Sequence, residues 1–297
     1  MEKTSISMNE IKSISQRNDL LKLFAMLTML IDHIGYMFFT ETQMLRFIGR
    51  LAFPIFAYQL AVGYRKTSSL KNYSKRLLIF ALITQIPYSF FSPKMEFTPF
   101  HLNIMFTLLL ALGIIYVYDK GVKYTCSFKN QKNYKQLLLA IVSFIGVCAM
   151  VIVPEILGII FNQFRLEYGM YGLLMVLLFH INHDKKICMI VSYAILSVFE
   201  AYILGAEILA KNSMNWFGVS FNTWECLFKF DIVWENITKW KDGLVRLDGY
   251  FFQARSIIAF IPIYLIKPIK KFKLNKYVGY TFYPAHITIL LVIALII

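Results

Sequence analysis

Long apolar runs separated by short polar connections dominate the chain, and most of these runs are close to the length that crosses a bilayer. A membrane-spanning helix needs about 20 predominantly apolar residues. Nine such runs recur, at about 20–39, 45–63, 75–91, 101–118, 136–153, 166–182, 187–205, 250–266 and 277–297. We therefore predict an all-α, polytopic membrane bundle of nine transmembrane helices, or ten if residues 156–164 form a further short piece.

Composition supports this interpretation over a soluble fold. Hydrophobic residues make up 58% of the 297 residues, and charged residues only 16%. A chain with so little polar surface cannot cover itself in water, which favours an integral membrane protein. The first nineteen residues are polar and the run that follows is too long for the apolar part of a signal peptide. We expect one membrane domain over residues 1–297.

The basic residues predict the orientation of the bundle. Of the 31 Lys and Arg, 21 fall in the N-terminal segment and in alternate connections, around 65–76, 120–135, 185–186 and 267–276. Cytoplasmic loops of membrane proteins carry such an excess, so the N-terminus is predicted to be cytoplasmic. The net charge of +14 is then a topology signal, and no nucleic-acid partner is expected.

The connection at about 206–249 differs from the others in length and in its aromatic content. It contains all four tryptophans of the chain, at positions 216, 224, 234 and 240. Tryptophan prefers the membrane–water interface, so this connection is either an element lying on the outer leaflet or a lid over a site. The sequence leaves both interpretations open.

The first span carries the most unusual residues, Asp32 and His33, within an otherwise apolar run. An ionisable side chain at membrane depth is costly, and it generally faces a polar cavity or a partner. Adjacent residues of a helix point about 100° apart, so the two cannot face the same spot. We assign His33 to a cavity, with Tyr36 on the same helix face, and expect Asp32 to pair with Arg50 on the next span.

Further polar residues fall in the middle and outer half of the predicted membrane. His101 and Asn103 open the fourth span, and His286 lies in the last. Their convergence predicts a polar cavity. His180 and His183 are spaced as on one helix face, but beside two lysines they indicate a solvated helix end, and no metal site is expected.

Six stretches of the chain resemble the TraX family, in the family's order. They are AMLTMLIDHIGYMFF (25–39), LRFIGRLAFPIFAYQLAVGY (45–64), YSKRLLIFALITQIPYSF (73–90), HLNIMFTLLLALG (101–113), EYGMYGLLMVLLF (167–179) and GYTFYPAHITIL (279–290). The IDHIG, GRLAFPIF and YPAH blocks are the most specific.

This resemblance implies a multi-pass acetyltransferase, related to membrane enzymes that move acyl groups from cytoplasmic coenzyme A thioesters to extracytoplasmic acceptors. His33 in IDHIG matches the residue regarded as catalytic in those relatives, and Asp32 beside it is grouped with it. The matching blocks also imply Arg50, Asn103, Tyr283 and His286 as acceptor-binding residues and Arg76 as a donor-binding residue. To these we add Tyr36 and His101 for the acceptor, from their place in the predicted cavity, and Tyr73 for the acyl donor.

The expected reaction transfers an acetyl group from acetyl-CoA, as co-substrate, to an amine or hydroxyl of an unidentified acceptor outside the cytoplasm. A surface glycan, a peptide or a pilin-like protein would each fit. His33 would be the general base, and Asn103 or His286 would donate hydrogen bonds to the oxyanion. Membrane lipid is the expected surrounding, in a bacterial inner or plasma membrane. A proton-coupled transporter or flippase using the same His/Asp cluster is the alternative, and a non-catalytic assembly factor is the third.

Overall fold

The computed structural model describes residues 18–161, 163–218, 220–238, 240–241, 244–245, 253–269 and 271–296, and these residues are mostly helical. The α-helices are α1 (Asp19–Phe38), α2 (Gln43–Gly49), α3 (Ala52–Lys66), α4 (Leu70–Tyr88), α5 (Ile104–Gln131), α6 (Tyr134–Ile160), α7 (Gly169–Ile181), α8 (Lys186–Phe217), α9 (Thr223–Leu227), α10 (Phe230–Thr238), α11 (Phe260–Leu265) and α12 (Lys276–Ile296). A 3-10 helix covers Ala254–Ala259. The strands are β1 (His101–Leu102), β2 (Arg165–Leu166), β3 (Trp240–Lys241) and β4 (Leu244–Val245).

Six stretches of helix in the described residues are long and apolar enough to cross a membrane, so the predicted count of nine is not confirmed. They are Asp19–Phe38, Met44–Lys66, Ile104–Gln131, Tyr134–Ile160, Lys186–Asn215 and Tyr277–Ile296. Helix α4 is not among these candidate spans, and basic residues occupy its first turns. Helix α7 has 13 residues, about 20 Å at 1.5 Å per residue, which is less than the roughly 30 Å of a bilayer core. The protein is a helical membrane protein.

The start of α1 is fixed by the residue before it. The side chain of Asn18 accepts a hydrogen bond from the backbone N–H of Leu21, which caps the helix. The same side chain donates to the carbonyl of Ile266 at 2.5 Å, and Gln59 donates to the Asn18 carbonyl at 2.9 Å. These bonds connect the beginning of α1 to α3 and to the segment that follows α11.

The predicted second span, 45–63, is broken into α2 and α3 at Arg50 and Leu51. Pro54 has no N–H to donate to the carbonyl four residues earlier, at Arg50, so the regular helical ladder is interrupted there. Leu51 instead donates to Ile48 in a tighter turn. Arg50 and Leu51 keep right-handed helical dihedrals, so Arg50 lies between α2 and α3 at the interruption.

Two short strands bring the starts of α5 and α7 together. Strands β1 and β2 pair in parallel, with His101 opposite Arg165 and Leu102 opposite Leu166. Each strand ends just before a helix, at Asn103 and at Glu167. The polar residues at these two helix starts therefore lie close to one another.

The chain divides into two compact units, one within Met1–Met189 and Ile258–Ile297 and the other comprising Ile190–Ile257. In the second unit α8 continues through residue 217, so helix occupies the first part of the predicted 206–249 connection. Helices α9 and α10 pack with α8 around a buried core that includes Leu209, Cys226 and Ile237. Trp224 and Trp234 are exposed there.

Candidate functional site

A partly open cavity lies in the first unit, at the height where α1 carries its polar residues, and its empty space is about 640 Å³ with the open solvent at its mouth included. Its polar lining is Asp32, His33, Glu167, Tyr168 and Tyr283, and the remaining lining residues are two glycines, from α2 and α12, and apolar side chains from α1, α3 and α5. Both predicted catalytic residues and one predicted acceptor-binding residue therefore line the same cavity.

His33 and His286 are in direct contact across α1 and α12. The Nδ1 atom of His33 lies 2.6 Å from Nε2 of His286, and the two rings stack with centroids 4.9 Å apart. His286 Nδ1 in turn lies 2.7 Å from the carbonyl oxygen of Phe282 on its own helix. Phe91 contacts the His33 ring edge-on, and the centroids of these two rings are 5.0 Å apart. The two histidines are thus held in a fixed mutual geometry by aromatic packing.

Asp32 points away from His33 and pairs with two arginines. Arg50 donates to both carboxylate oxygens, at 2.8 and 3.0 Å, which confirms the predicted Asp32–Arg50 pair. Arg46 donates to the same carboxylate at 2.9 Å. With two guanidinium groups on one carboxylate, Asp32 acts here as an anchor for α2 and for Arg50 directly after it.

This anchor requires a glycine at position 49. A Cβ atom added to Gly49 would overlap the side chain of Asp32. Any other residue would push α2 away from α1 and lengthen the bonds from Arg46 and Arg50. The close approach, rather than backbone freedom, explains the glycine.

Tyr36 and Arg46 form the outer edge of this cluster. The Arg46 guanidinium lies over the Tyr36 ring, 4.9 Å from its centroid, a distance typical of cation–π contacts. Tyr36 also lies near Phe91, with centroids 5.8 Å apart. The predicted acceptor-binding residue Tyr36 thus connects the arginine pair to the histidine pair.

Glu167, at the start of α7, is held by three elements. Its carboxylate accepts from the hydroxyl of Tyr88 and lies 3.5 Å from Nε2 of His101, while its carbonyl accepts from Thr107 at 2.5 Å. Burial, with a further contribution from Arg165, lowers the pKa of His101 to about 4. His101 is therefore neutral at pH 7, and its contact with Glu167 is not an ion pair.

Tyr168 adopts a left-handed backbone conformation, with φ of 60°. Such a conformation is uncommon for a residue other than glycine, and it costs on the order of 1–3 kcal/mol. The ring is held by stacking on Phe53 at 3.9 Å, and the guanidinium of Arg50 lies 5.8 Å from its centroid. The strained residue is part of the cavity wall.

Asn103 connects α4 to α5. Its amide nitrogen donates to the carbonyl of Ala81 and to the side-chain oxygen of Gln85, each at 2.9 Å. Its side-chain oxygen accepts from Met105 and caps α5. Both N–H groups are used in holding α4 against α5, which favours a scaffold role for Asn103, and its part in binding the acceptor or the oxyanion stays a prediction.

Of the two residues assigned to the acyl donor, Tyr73 lines a second cavity. Its empty space is about 720 Å³ with open solvent included, and its other polar lining residues are Asp19, Lys22, Gln59 and Tyr280. Phe56, Met105, Leu108 and Gly279 line both cavities, so the two spaces adjoin. The Arg76 guanidinium lies 5.7 Å from the centroid of Tyr73, and its buried Nε has no hydrogen-bond partner among the described residues.

His180 is not at a solvated helix end, contrary to the sequence interpretation. It is buried, its Nε2 lies 2.8 Å from Asp119 on α5, and its carbonyl accepts from Arg65 at 3.0 Å. His183 is more exposed and pairs with Asp184. In the described part of the chain, no group of three or more His, Cys, Asp or Glu could hold a metal ion.

Arg46 is a site residue that the assignment from sequence left out. It lies four residues before Arg50, a spacing that places both on one helix face, so it could have been inferred from the Asp32 pair. Glu167 and Tyr168 open the sixth predicted span among the polar residues that converge in sequence, but they had no assigned role. Their position depends on the β1–β2 contact, and no local pattern indicates that pairing.

Comparison with known proteins identifies the family of this chain. The family model described as TraX protein matches residues 17–294. The chain belongs to the TraX family. The match covers α1 through almost all of α12, so both histidines and both arginines of the site lie within the TraX region.

Two curated relatives of this TraX protein match over shorter lengths. A probable fimbrial assembly protein FimC, serogroup H1, of Dichelobacter nodosus is 33% identical over a stretch covering 31% of this chain and 42% of the relative. The uncharacterized protein RP591 of Rickettsia prowazekii (strain Madrid E) is 34% identical, covering 35% of this chain and 38% of the relative. The chain thus spans less than half the length of each. No solved structure matches it significantly.

Proposed function

We propose that this TraX-family protein is a membrane acetyltransferase that moves an acetyl group from cytoplasmic acetyl-CoA to an amine or hydroxyl of an acceptor outside the cytoplasm. The single observation that carries the proposal is the His33 imidazole, held by His286 at the wall of the first cavity. A neutral histidine positioned beside a reactant is the usual general base.

The two adjoining cavities support a division of the site between donor and acceptor. Tyr73 and Lys22 line the second cavity, toward the side that the basic connections predict to be cytoplasmic, and Arg76 lies beside the Tyr73 ring. Cationic side chains there suit the phosphates of coenzyme A, and Arg76 retains a buried N–H that a phosphate oxygen could accept. The first cavity would receive the thioester and the acceptor.

In the proposed reaction, a ring nitrogen of His33 takes the proton from the acceptor amine or hydroxyl as that atom attacks the thioester carbonyl. The carbon–sulfur bond then breaks, the acetyl group stays on the acceptor, and the coenzyme A thiolate receives the proton from the imidazolium. Proton transfer of this kind contributes about 10²–10⁴-fold. No metal or bound organic cofactor takes part.

The acceptor is proposed to belong to a surface structure. One curated relative is named as a probable fimbrial assembly protein, and a pilin-like protein is among the acceptors that fit this chemistry. We propose a bacterial inner or plasma membrane as its location, since donor and acceptor would lie on opposite sides of that bilayer.

A proton-coupled transporter or flippase is the second candidate, and the direct contact between His33 and His286 favours it. Two imidazoles in contact can pass a proton from one to the other. This function would operate without acetyl-CoA and would depend on a proton gradient.

The test measures release of free coenzyme A from acetyl-CoA by purified protein with a panel of amines, alcohols and crude envelope fractions. Wild type and His33→Ala are compared, with His183→Ala as the matched control because His183 lies outside both cavities. We expect acceptor-dependent release that is lost only in His33→Ala. Gradient-driven transport without turnover of acetyl-CoA would instead support the transporter.

A further inference from the structure

We infer that His286 sets the tautomer of His33, so that Nε2 is the basic atom of His33. The catalytic consequence of this tautomer rests on the proposed function, whereas the assignment of the tautomer does not. The inference gives His286 a positioning role instead of the substrate-binding role expected from the sequence.

The argument begins at the backbone of α12. A carbonyl oxygen only accepts hydrogen bonds, so Nδ1 of His286, 2.7 Å from the carbonyl of Phe282, must carry a hydrogen. A carbonyl has two lone pairs and can accept from a side chain in addition to its helical partner. In a neutral imidazole only one ring nitrogen is protonated, so Nε2 of His286 has a lone pair.

The second link follows from the first. With Nε2 of His286 as acceptor, the 2.6 Å contact requires that Nδ1 of His33 carry the hydrogen and donate it. The lone pair of a neutral His33 is then on Nε2. The reverse arrangement needs a doubly protonated His286, a charged ring that is only 5% exposed and would carry the desolvation cost of a buried ion.

Asp32 does not perform this orienting role, although it is the sequence neighbour of His33. Its two oxygens accept from Arg46 and Arg50. In many hydrolases a carboxylate holds the catalytic imidazole in one tautomer. Here a second imidazole, fixed by a main-chain carbonyl, takes that position.

The chain of bonds defines the proton path. When Nε2 of His33 takes the acceptor proton, Nδ1–H still donates to His286, and the bond strengthens because the donor is now charged. His286 keeps its own proton on Nδ1. As its single N–H is used by Phe282, a neutral His286 has none to offer an oxyanion.

The direct test is ¹⁵N NMR of histidine-labelled full-length protein in nanodiscs at neutral pH. The chain has five histidines, so their signals can be assigned by single substitutions, with His183→Gln as a control outside the site. We expect His33 protonated on Nδ1 in the wild type, and a loss of that preference in His286→Leu. His286→Gln should preserve it, because the amide oxygen can accept from Nδ1–H.

A wild-type spectrum with the proton on Nε2 of His33 overturns the inference, and so does an unchanged tautomer in a folded His286→Leu protein. The wild-type spectrum alone decides if the variants do not fold.

The catalytic consequence is measured by coenzyme A release. We expect His286→Leu to lower kcat by about 10²-fold or more with an unchanged KM for acetyl-CoA, and His286→Gln to stay within about tenfold of wild type. Equal losses in both variants, or a change confined to KM, contradict a positioning role. Absence of turnover in the wild type refutes the proposed function, and the NMR measurement still decides the tautomer.

Discussion

Replacing Asp32 by Asn tests the anchor between α1 and α2. The substitution keeps the shape of the side chain but leaves Arg46 and Arg50 facing a neutral group. The side chains of Asp32 and Arg50 are 9% and 8% exposed, so this is the breaking of a buried ion pair, which costs about 3–5 kcal/mol. Arg46 is 25% exposed, and its share is smaller because water screens it. We expect a loss of about 3–5 kcal/mol in the free energy of unfolding.

The assay is unfolding by sodium dodecyl sulfate in detergent micelles, followed by far-ultraviolet circular dichroism. Tryptophan fluorescence is unsuitable, since all four tryptophans lie between residues 216 and 240. Asp184→Asn is the matched control: its contact with His183 is exposed, and we expect a loss within about 1 kcal/mol. The double variant Asp32→Asn/Arg50→Gln should recover part of the loss. Equal stability of Asp32→Asn and Asp184→Asn would refute the reasoning.

The remaining predictions use the same preparations. Gly49→Ala should lower stability and activity together, because the added Cβ overlaps the Asp32 carboxylate. The control Gly146→Ala, whose Cβ would meet only ordinary contacts, should gain up to about 1 kcal/mol in the free energy of unfolding from helix propensity. Similar stability of the two variants would contradict the close approach of α2 to α1. Asn103→Ala should lower the free energy of unfolding by about 2–4 kcal/mol, because it removes a helix cap and leaves buried partners on α4 without their hydrogen bonds. The control Asn133→Ala removes an exposed helix cap and should cost about 1 kcal/mol. Equal losses would contradict the scaffold role of Asn103. Arg76→Ala should raise the KM for acetyl-CoA at least about tenfold with little change in kcat, because a hydrogen bond to a charged group contributes about 1.5–3 kcal/mol. The measurement is coenzyme A release, and an unchanged KM would exclude Arg76 from donor binding.

Local patterns in the sequence predicted the charged part of the site. The expectation that Asp32 and His33 diverge and that Asp32 meets Arg50 is confirmed, because both follow from helical geometry and from the cost of an unpaired charge in a membrane. The same geometry extends to Arg46, four residues before Arg50.

Contacts between distant segments could not be predicted in this way. His33 and His286 are 253 residues apart in sequence, and their contact depends on how α12 packs against α1. The pairing of β1 with β2, only two residues each, likewise has no periodic pattern. Sequence reasoning could place these groups near one cavity, but not in hydrogen-bond contact.

Two polar residues show how the sequence pattern leaves a side chain's surroundings open. Asn103 immediately precedes an apolar helix, which is the usual place of a capping residue, and its buried bonds to α4 explain its presence without catalysis. His180 was judged by its lysine neighbours in sequence, whereas its neighbour in space is Asp119.

The predicted count of nine spans is not confirmed among the described residues, and one reason is that hydropathy does not show where helices end. Helices α7 and α11 are short, and the basic first turns of α4 reduce its apolar length. Short helices can complete a bundle without crossing it, since neighbouring helices cover their ends.

Transfer across a sealed bilayer tests the central claim most directly. Purified protein is reconstituted in liposomes that enclose the best acceptor of the panel, and acetyl-CoA, which does not cross lipid, is added outside. The account predicts acetylated acceptor inside the liposomes with wild type and His183→Ala, and none with His33→Ala. Acetylation of acceptor only when it shares the outer compartment with acetyl-CoA, or equal product with His33→Ala, would contradict it.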